Sequence, residues 1–126
     1  MSAAVLLLHD LPDGSHHFDW MIQRPGGPAR PLVTFRVQRR IDWGLPSPFE
    51  ALRLPDHRAA YLTFQGPVAD SRGSVTRLAT GDLAIEADSP DSFRARGSLG
   101  AASGTFEGSR TAGNHWSFSF TPDLTP

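Results

Sequence analysis

Three side chains near the start of the chain have the types and spacing of a metal site. His17 and Asp19 lie two residues apart, and His9 directly follows the apolar run at residues 5–8. Because a β-strand sends residues two apart to the same face, we expect His17 and Asp19 to lie side by side. The chain has no cysteine, so a bound metal would take nitrogen and oxygen ligands, as Mn²⁺, Zn²⁺ and Fe²⁺ do.

Bringing His9 to the other two residues requires two early strands to pair. Residues 11–16 read LPDGSH, and the Pro-Asp-Gly sequence within them is typical of a hairpin turn. An antiparallel pairing across this turn would place His9 beside His17 and Asp19. The same alternation predicts that three apolar residues of the second strand face a core: Phe18, Trp20 and Ile22.

A later pair of residues could supply acid-base chemistry to such a metal. His57 follows Pro55 at the start of a predicted strand over residues 58–64, and Tyr61 is the only tyrosine of the chain. An imidazole that gives a proton to a leaving oxygen commonly complements a metal in phosphoryl chemistry. The simpler interpretation of Tyr61 is a hydrogen bond at a strand end.

Composition indicates one small all-β domain over residues 1–126. The 126 residues are 39% hydrophobic and 20% charged, and 11 prolines and 12 glycines separate short alternating runs. This pattern predicts an antiparallel β-barrel of about eight strands. We expect one short helix near residues 47–52, where Ser47 precedes Pro48, and a hairpin across residues 79–82. Residues 122–126 are expected to be a frayed tail.

The charge and hydropathy of the chain limit the kinds of partner that it could bind. The net charge of −1 excludes a protein that binds nucleic acid through bulk positive charge, so any such recognition would be local. The longest apolar stretch, residues 3–8, is too short for a signal peptide or a membrane-spanning helix. We therefore expect a cytoplasmic protein without membrane contact, and the sequence leaves its oligomeric state open.

The spacing of these motifs resembles the 3′-phosphoesterase domain of bacterial DNA ligase D. That family has a His-Asp pair, a His-aromatic-Asp-aromatic run, and an Asp-His pair followed by a tyrosine and a Phe-x-Gly sequence. The matching positions here are His9-Asp10, His17-Phe18-Asp19-Trp20, Asp56-His57, Tyr61 and Phe64-Gln65-Gly66. The resemblance covers roughly the first 80 residues well; the rest shares only strand-like character.

The resemblance implies a β-barrel that binds Mn²⁺ and trims ribonucleotides and phosphates from the 3′ ends of DNA strands during repair. Zn²⁺ is the alternative metal. By matched position, His9, His17 and Asp19 would be the metal ligands, His57 would contact the scissile phosphate or assist the leaving group, and Tyr61 would support His57. Without polymerase or ligase modules beside it, the chain would be a stand-alone relative that acts alone or recruits repair proteins.

The chain departs from the family at the phosphate clamp. The family has an arginine two residues after the strand aspartate, whereas this chain has Met21 there. A thioether cannot replace a bidentate guanidinium. The first and second histidines are also two residues farther apart here. We expect Arg72, in the loop at residues 66–74, to supply the missing phosphate contact, with Arg53 as the second candidate.

Two other interpretations remain open from the sequence. Met21 favours a catalytically impaired module that keeps the barrel and binds a metal, nucleic acid or a protein partner. Alternatively, His17, Asp19 and His57 could form the facial triad of an Fe²⁺ oxygenase, in which His9 has no role. The chain is short for such an enzyme and offers no obvious basic site for a co-substrate carboxylate.

Overall fold

The computed structural model describes residues 1–124, and nearly all of its regular structure is antiparallel strand. Nine strands follow one another along the chain, with one turn of 3-10 helix, Ala59–Leu62, between the fourth and the fifth. The strands are β1 Ser2–Asp10, β2 His16–Gln23, β3 Leu32–Val37, β4 Phe49–His57, β5 Gly66–Pro67, β6 Ser74–Asp88, β7 Ser92–Leu99, β8 Ala102–Ala112 and β9 His115–Pro122.

Eight of these strands close into a barrel, as predicted. The hydrogen-bonded order is β1-β2-β3-β4-β9-β8-β7-β6, and β6 pairs again with β1. The short β5 adds to the other side of β6, opposite Ser74 and Val75. The pairing of β6 with β1 therefore joins the two ends of the sheet. Within residues 1–124 no helix is long and apolar enough to cross a bilayer.

Aromatic side chains fill the barrel interior. Trp20 is fully buried at the centre, and its ring centroid lies 4.9 Å from that of Phe106 and 5.4 Å from that of Phe118. The alternation predicted for β2 is confirmed, because Phe18, Trp20 and Ile22 all belong to this core. Consequently the other face of β2, with its polar residues, lies on the outside of the barrel.

A second, smaller apolar cluster lies on that outer face. Its buried members are Val5 and Leu7 of β1, Met21 of β2 and Leu32 of β3. Tyr61 and Leu62 of the 3-10 turn pack against it. The segment between β4 and β6 is therefore anchored over the outside of β1 to β3, and the side chains beneath it are buried although they lie outside the barrel.

The expected helix at residues 47–52 is wrong. Phe49 begins β4, which pairs with β3 and β9. Phe49 and Ala51 are buried while Glu50 is exposed, which is the alternation of a strand with one face in the core. Ser47 does not cap a helix, since its hydroxyl accepts a hydrogen bond from Arg39 at 2.8 Å. Pairing on both sides outweighs the local helix-start signal.

The expected strand at residues 58–64 is also wrong. The strand ends at His57, and the 3-10 turn follows, with the backbone N–H of Thr63 bonded to the carbonyl of Ala60. Packing of the turn on the outer cluster, rather than ladder pairing, holds these residues. Phe64 remains 37% exposed.

The hairpin predicted across residues 79–82 is replaced by one continuous strand, β6. Gly81 marks a close approach rather than a turn, because a Cβ there would lie 2.0 Å from the carbonyl oxygen of Ser98 on β7. The predicted tail is partly wrong as well: Pro122 ends β9 opposite Gly104, and the N–H of Asp123 bonds the carbonyl of Ser103. Residues 125–126 lie outside the described residues.

Candidate metal centre

The pairing of β1 with β2 brings the three predicted ligands together. The strands are antiparallel, with His9 opposite His17 and Leu7 opposite Asp19. His9, His17 and Asp19 all face outward. The turn predicted within residues 11–16 spans residues 11–15 and is closed by a hydrogen bond from the N–H of Leu11 to the carbonyl of Ser15. The facial-triad alternative needed His57 in this group, whereas the structure places His9 there.

The separations among the three ligand atoms suit one divalent ion. Nδ1 of His9 lies 3.1 Å from Nε2 of His17, which lies 3.4 Å from Oδ2 of Asp19, and the third side of the triangle is 4.0 Å. For metal bonds of about 2.1 Å, two ligands are about 3.0 Å apart at a right angle and about 3.4 Å apart at the tetrahedral angle. The two shorter separations match these angles, and the 4.0 Å separation between His9 and Asp19 would have to shorten on binding; with that adjustment the group could hold a divalent ion.

A hydrogen bond from His9 to the segment between β4 and β6 fixes the tautomer of His9. Nε2 of His9 donates to the backbone carbonyl of Arg72 at 2.7 Å, so Nδ1 keeps its lone pair and directs it at the centre of the group. Partners of this kind orient metal-binding imidazoles and raise their basicity. With Nδ1 of His9 unprotonated, the Nε2–H of His17 faces both that Nδ1 and the Asp19 carboxylate, and a metal bound at Nε2 would take the place of this hydrogen.

The loop that places this carbonyl beside His9 has an unusual backbone conformation. Asp70 and Ser71 both have positive φ, +61° and +55°, which non-glycine residues seldom adopt. The loop is closed by a hydrogen bond of 2.8 Å from the N–H of Val68 to the carbonyl of Gly73. A Cβ on Gly73 would lie 1.9 Å from the carbonyl oxygen of Asp10, so only glycine allows this approach to the end of β1.

Asp19 is shared between the imidazoles and a guanidinium. Its Oδ2 faces the histidines, and its Oδ1 lies 3.4 Å from Nε of Arg36, the residue opposite it on β3. The burial of Asp19 by itself would raise its pKa, but the hydrogen bond and charge of His17, followed by those of Arg36, lower the pKa below its ordinary value. The carboxylate is thus kept ionised, as a metal ligand must be.

Arg36 is the site residue that the sequence did not reveal. It lines the same cleft as the triad, a space of about 510 Å³, and its side chain is 32% exposed. The sequence does hold one indication of Arg36, because it is the one charged residue of the strand Leu32–Val37. It also shares the outer face of that strand with Leu32 and Thr34, since the three residues are two positions apart. Only the pairing of β3 with β2 shows that this face adjoins Asp19.

His57 and Tyr61 line the far part of this cleft. The pairing with β3 shows how far His57 lies from the triad. His57 is opposite Leu32 of β3, whereas Asp19 is opposite Arg36, four residues farther along the same strand. Four residues of strand correspond to a backbone offset of about 13 Å, and among the described residues no hydrogen bond joins His57 to the triad. Nδ1 of His57 bonds the carbonyl of Pro55 at 2.9 Å, which leaves Nε2 for a ligand.

The two predicted phosphate-binding arginines have different surroundings. Arg72 lines the cleft, with its Nε bonded to the carbonyl of Ala69. Arg53 instead lies over the rings of Phe35 and Phe93 and pairs with Asp88 at 3.5 Å, away from the triad. Met21, which stands where the resembled family has arginine, is 1% exposed within the outer cluster. Met21 here packs beneath the segment between β4 and β6.

Comparison with known proteins adds no assignment. A scan against models of protein families finds no match to this chain, and no curated protein matches it.

Proposed function

We propose that the chain is a metal-dependent phosphoesterase acting on the 3′ ends of nucleic acid, with Mn²⁺ as the physiological ion and Zn²⁺ as the alternative. The observation that supports this most is the triad of His9, His17 and Asp19 beside a guanidinium in a covered but open-sided cleft. Two imidazoles and one carboxylate hold a divalent ion while leaving positions for substrate oxygens. DNA repair is the process that the resemblance suggests, and we propose a cytoplasmic location because the longest apolar stretch, residues 3–8, is short.

The reaction would be hydrolysis of a 3′-phosphate ester. Water attacks phosphorus, the bond to the 3′ oxygen breaks, and that oxygen takes a proton to leave a 3′ hydroxyl and inorganic phosphate. A bound divalent ion would neutralise charge on the phosphoryl oxygens. Arg36 would orient those oxygens through its planar donors, in the role that Met21 cannot fill.

His57 is the candidate proton donor. Because Nδ1–H donates to the carbonyl of Pro55, His57 would act from its imidazolium form, in which Nε2 also carries a proton and gives it to the departing 3′ oxygen. Tyr61 would support the imidazole, since the two ring centroids are 5.7 Å apart at 70°. Because the 3′ oxygen is bonded directly to phosphorus, this role requires Nε2 of His57 and the triad to reach the same phosphate across the cleft that both line.

The second candidate function is a binding module that does not turn over. The buried Met21 in place of an arginine, together with the distance of His57 from the triad, favours it. Such a module would keep metal affinity and bind a nucleic-acid end or a repair protein through the same cleft.

An assay of phosphate release from a 3′-phosphorylated DNA primer distinguishes the phosphoesterase from the binding module. We expect release that requires Mn²⁺ or Zn²⁺, stops with EDTA, and is absent from a primer carrying only a 5′-phosphate. His57→Gln should keep metal binding and lose release. A protein that binds Mn²⁺ in calorimetry and yet frees no phosphate with either ion would leave only the binding module.

A further inference from the structure

A second cleft opens beside the metal centre. It has a volume of about 230 Å³ and shares Tyr61, Val68 and Arg72 with the larger cleft, so the two clefts adjoin. Its remaining walls come from the 3-10 turn and the loop on either side of β5, including Arg58 and Phe64. Pockets that take drug-sized ligands measure about 300 to 1,000 Å³, so this smaller space suits one flat ring system.

A series of rings leads from the metal cleft into this space. The centroids of His57 and Tyr61 are 5.7 Å apart, and those of Tyr61 and Phe64 are 5.9 Å apart, both edge to face. Phe64 is 37% exposed, whereas the aromatic rings inside the barrel are almost completely buried. An exposed ring at the wall of a cleft is available for stacking, which every nucleobase can provide.

The charge of the second cleft is also distinctive. Its lining includes two guanidiniums, Arg58 and Arg72, and no carboxylate. Among the described residues neither arginine forms an ion pair, whereas seven other arginines do: Arg24, Arg36, Arg40, Arg53, Arg94, Arg96 and Arg110. Cations without an acidic partner, placed beside an apolar wall, attract a ligand that is both aromatic and anionic.

We propose that this second cleft binds the base of the terminal nucleotide, the one whose 3′-phosphate enters the metal centre. The inference rests on the proposed function and names its substrate as a single-stranded or frayed nucleic-acid end. Phe64 stacks on the base, and Arg58 contacts the next phosphate of the strand. The base is held without reading its identity, because the cleft offers rings and guanidiniums rather than a set of paired donors and acceptors.

Two matched oligonucleotides test the proposal by binding, independently of turnover. Both end in a 3′-phosphonate that cannot be hydrolysed, and one lacks only the terminal base. We expect the wild-type protein with Mn²⁺ to bind the complete ligand about tenfold more tightly in fluorescence anisotropy. Phe64→Leu should abolish that preference, and Phe64→Tyr should retain it. Trp43→Leu, at an exposed tryptophan that lines neither cleft, is the control and should change nothing.

The outcomes separate this proposal from the enzymatic one. Equal affinity for the two ligands, no affinity for either, or an equal loss of both in Phe64→Leu overturns the base site. If phosphate is released with the same KM from primers with and without the terminal base, the phosphoesterase proposal stands and the base site is rejected. Base-dependent binding without release would retain the base site and reject turnover.

Discussion

His9 donates a hydrogen bond of 2.7 Å to the backbone carbonyl of Arg72, a residue 63 positions later in the chain. This contact joins a candidate metal ligand at the end of β1 to the loop that lies over the outer face of β1 to β3. The loop therefore does more than bury the triad. It selects the imidazole tautomer that directs Nδ1 at Asp19 and His17, and we therefore expect the conformation of residues 66–73 to affect metal affinity.

The first prediction concerns Gly73, which allows the loop to approach β1. In Gly73→Ala the new Cβ would lie 1.9 Å from the Asp10 carbonyl oxygen, so the loop must move and withdraw the Arg72 carbonyl from His9. We expect Mn²⁺ affinity, measured by calorimetry, to fall about 10- to 100-fold, while the circular dichroism of the barrel is preserved.

Gly14→Ala is the matched control for Gly73→Ala. Gly14 has nearly the same φ, +89° against +93°, but nothing lies within 4 Å of a Cβ built there. It carries the same backbone strain without the clash. Equal losses of Mn²⁺ affinity in the two variants would show that strain, and not the position of the loop, causes the effect.

The second prediction concerns the carboxylate of the triad. Asp19→Asn removes an anionic ligand that is 5% exposed and replaces it with a neutral amide. Mn²⁺ affinity should fall by more than the about 10- to 100-fold expected for the loss of an outer partner. Asp10→Asn is the control, because Asp10 is exposed and next to His9, and it removes the same charge without removing a ligand. Similar losses in both variants would indicate a diffuse charge effect and not coordination.

The sequence predicted the proximity of His9, His17 and Asp19 because the signals for it are local. Alternation in β2 and the turn at residues 11–15 are properties of a few neighbouring residues, and they sufficed to place His9 beside His17 and Asp19. Arg36 was missed because its position depends on which strands become neighbours. The same limit produced the wrong helix at Ser47 and Pro48, where pairing with β9, more than 60 residues away, decides the conformation.

Met21 shows a different limit. Its position in the motif suggested only that a phosphate contact was missing, and the candidates Arg72 and Arg53 were chosen by sequence. In the structure Arg53 is engaged with Asp88 and two aromatic rings, whereas Arg36 reaches Asp19. A motif shows which group is absent, but only the fold shows which other side chain can reach the same space.

The third prediction ranks these arginines as phosphate ligands. With metal bound, Arg36→Gln should weaken binding of inorganic phosphate by about tenfold or more, because a charge-assisted hydrogen bond contributes about 1.5 to 3 kcal/mol. Arg36→Lys should recover only part of the loss, since an ammonium lacks the planar fork. Calorimetry with phosphate on the Mn²⁺-loaded protein measures both.

Arg53→Gln and Arg72→Gln complete that series. Arg53→Gln should leave phosphate affinity unchanged and lower the Tm, because it breaks the contacts with Asp88, Phe35 and Phe93. Arg72→Gln should have an effect smaller than that of Arg36→Gln, since the Arg72 Nε is already bonded to Ala69. A larger loss in Arg53→Gln than in Arg36→Gln would reverse the assignment.

The last prediction tests why β6 is one strand and not a hairpin. Gly81 has no positive φ, and its backbone is paired with both β1 and β7. In Gly81→Ala the Cβ would meet the carbonyl oxygen of Ser98 at 2.0 Å, so β6 and β7 must separate. We expect urea denaturation to show that the free energy of unfolding falls by about 1 to 3 kcal/mol, as for other overpacked interiors.

Thr80→Ala, at the exposed neighbouring residue, is the control and should stay within about 0.5 kcal/mol of the wild type. If residues 79–82 formed a solvent-exposed turn instead, the two substitutions would have similar small effects, because an alanine at position 81 would then meet no backbone.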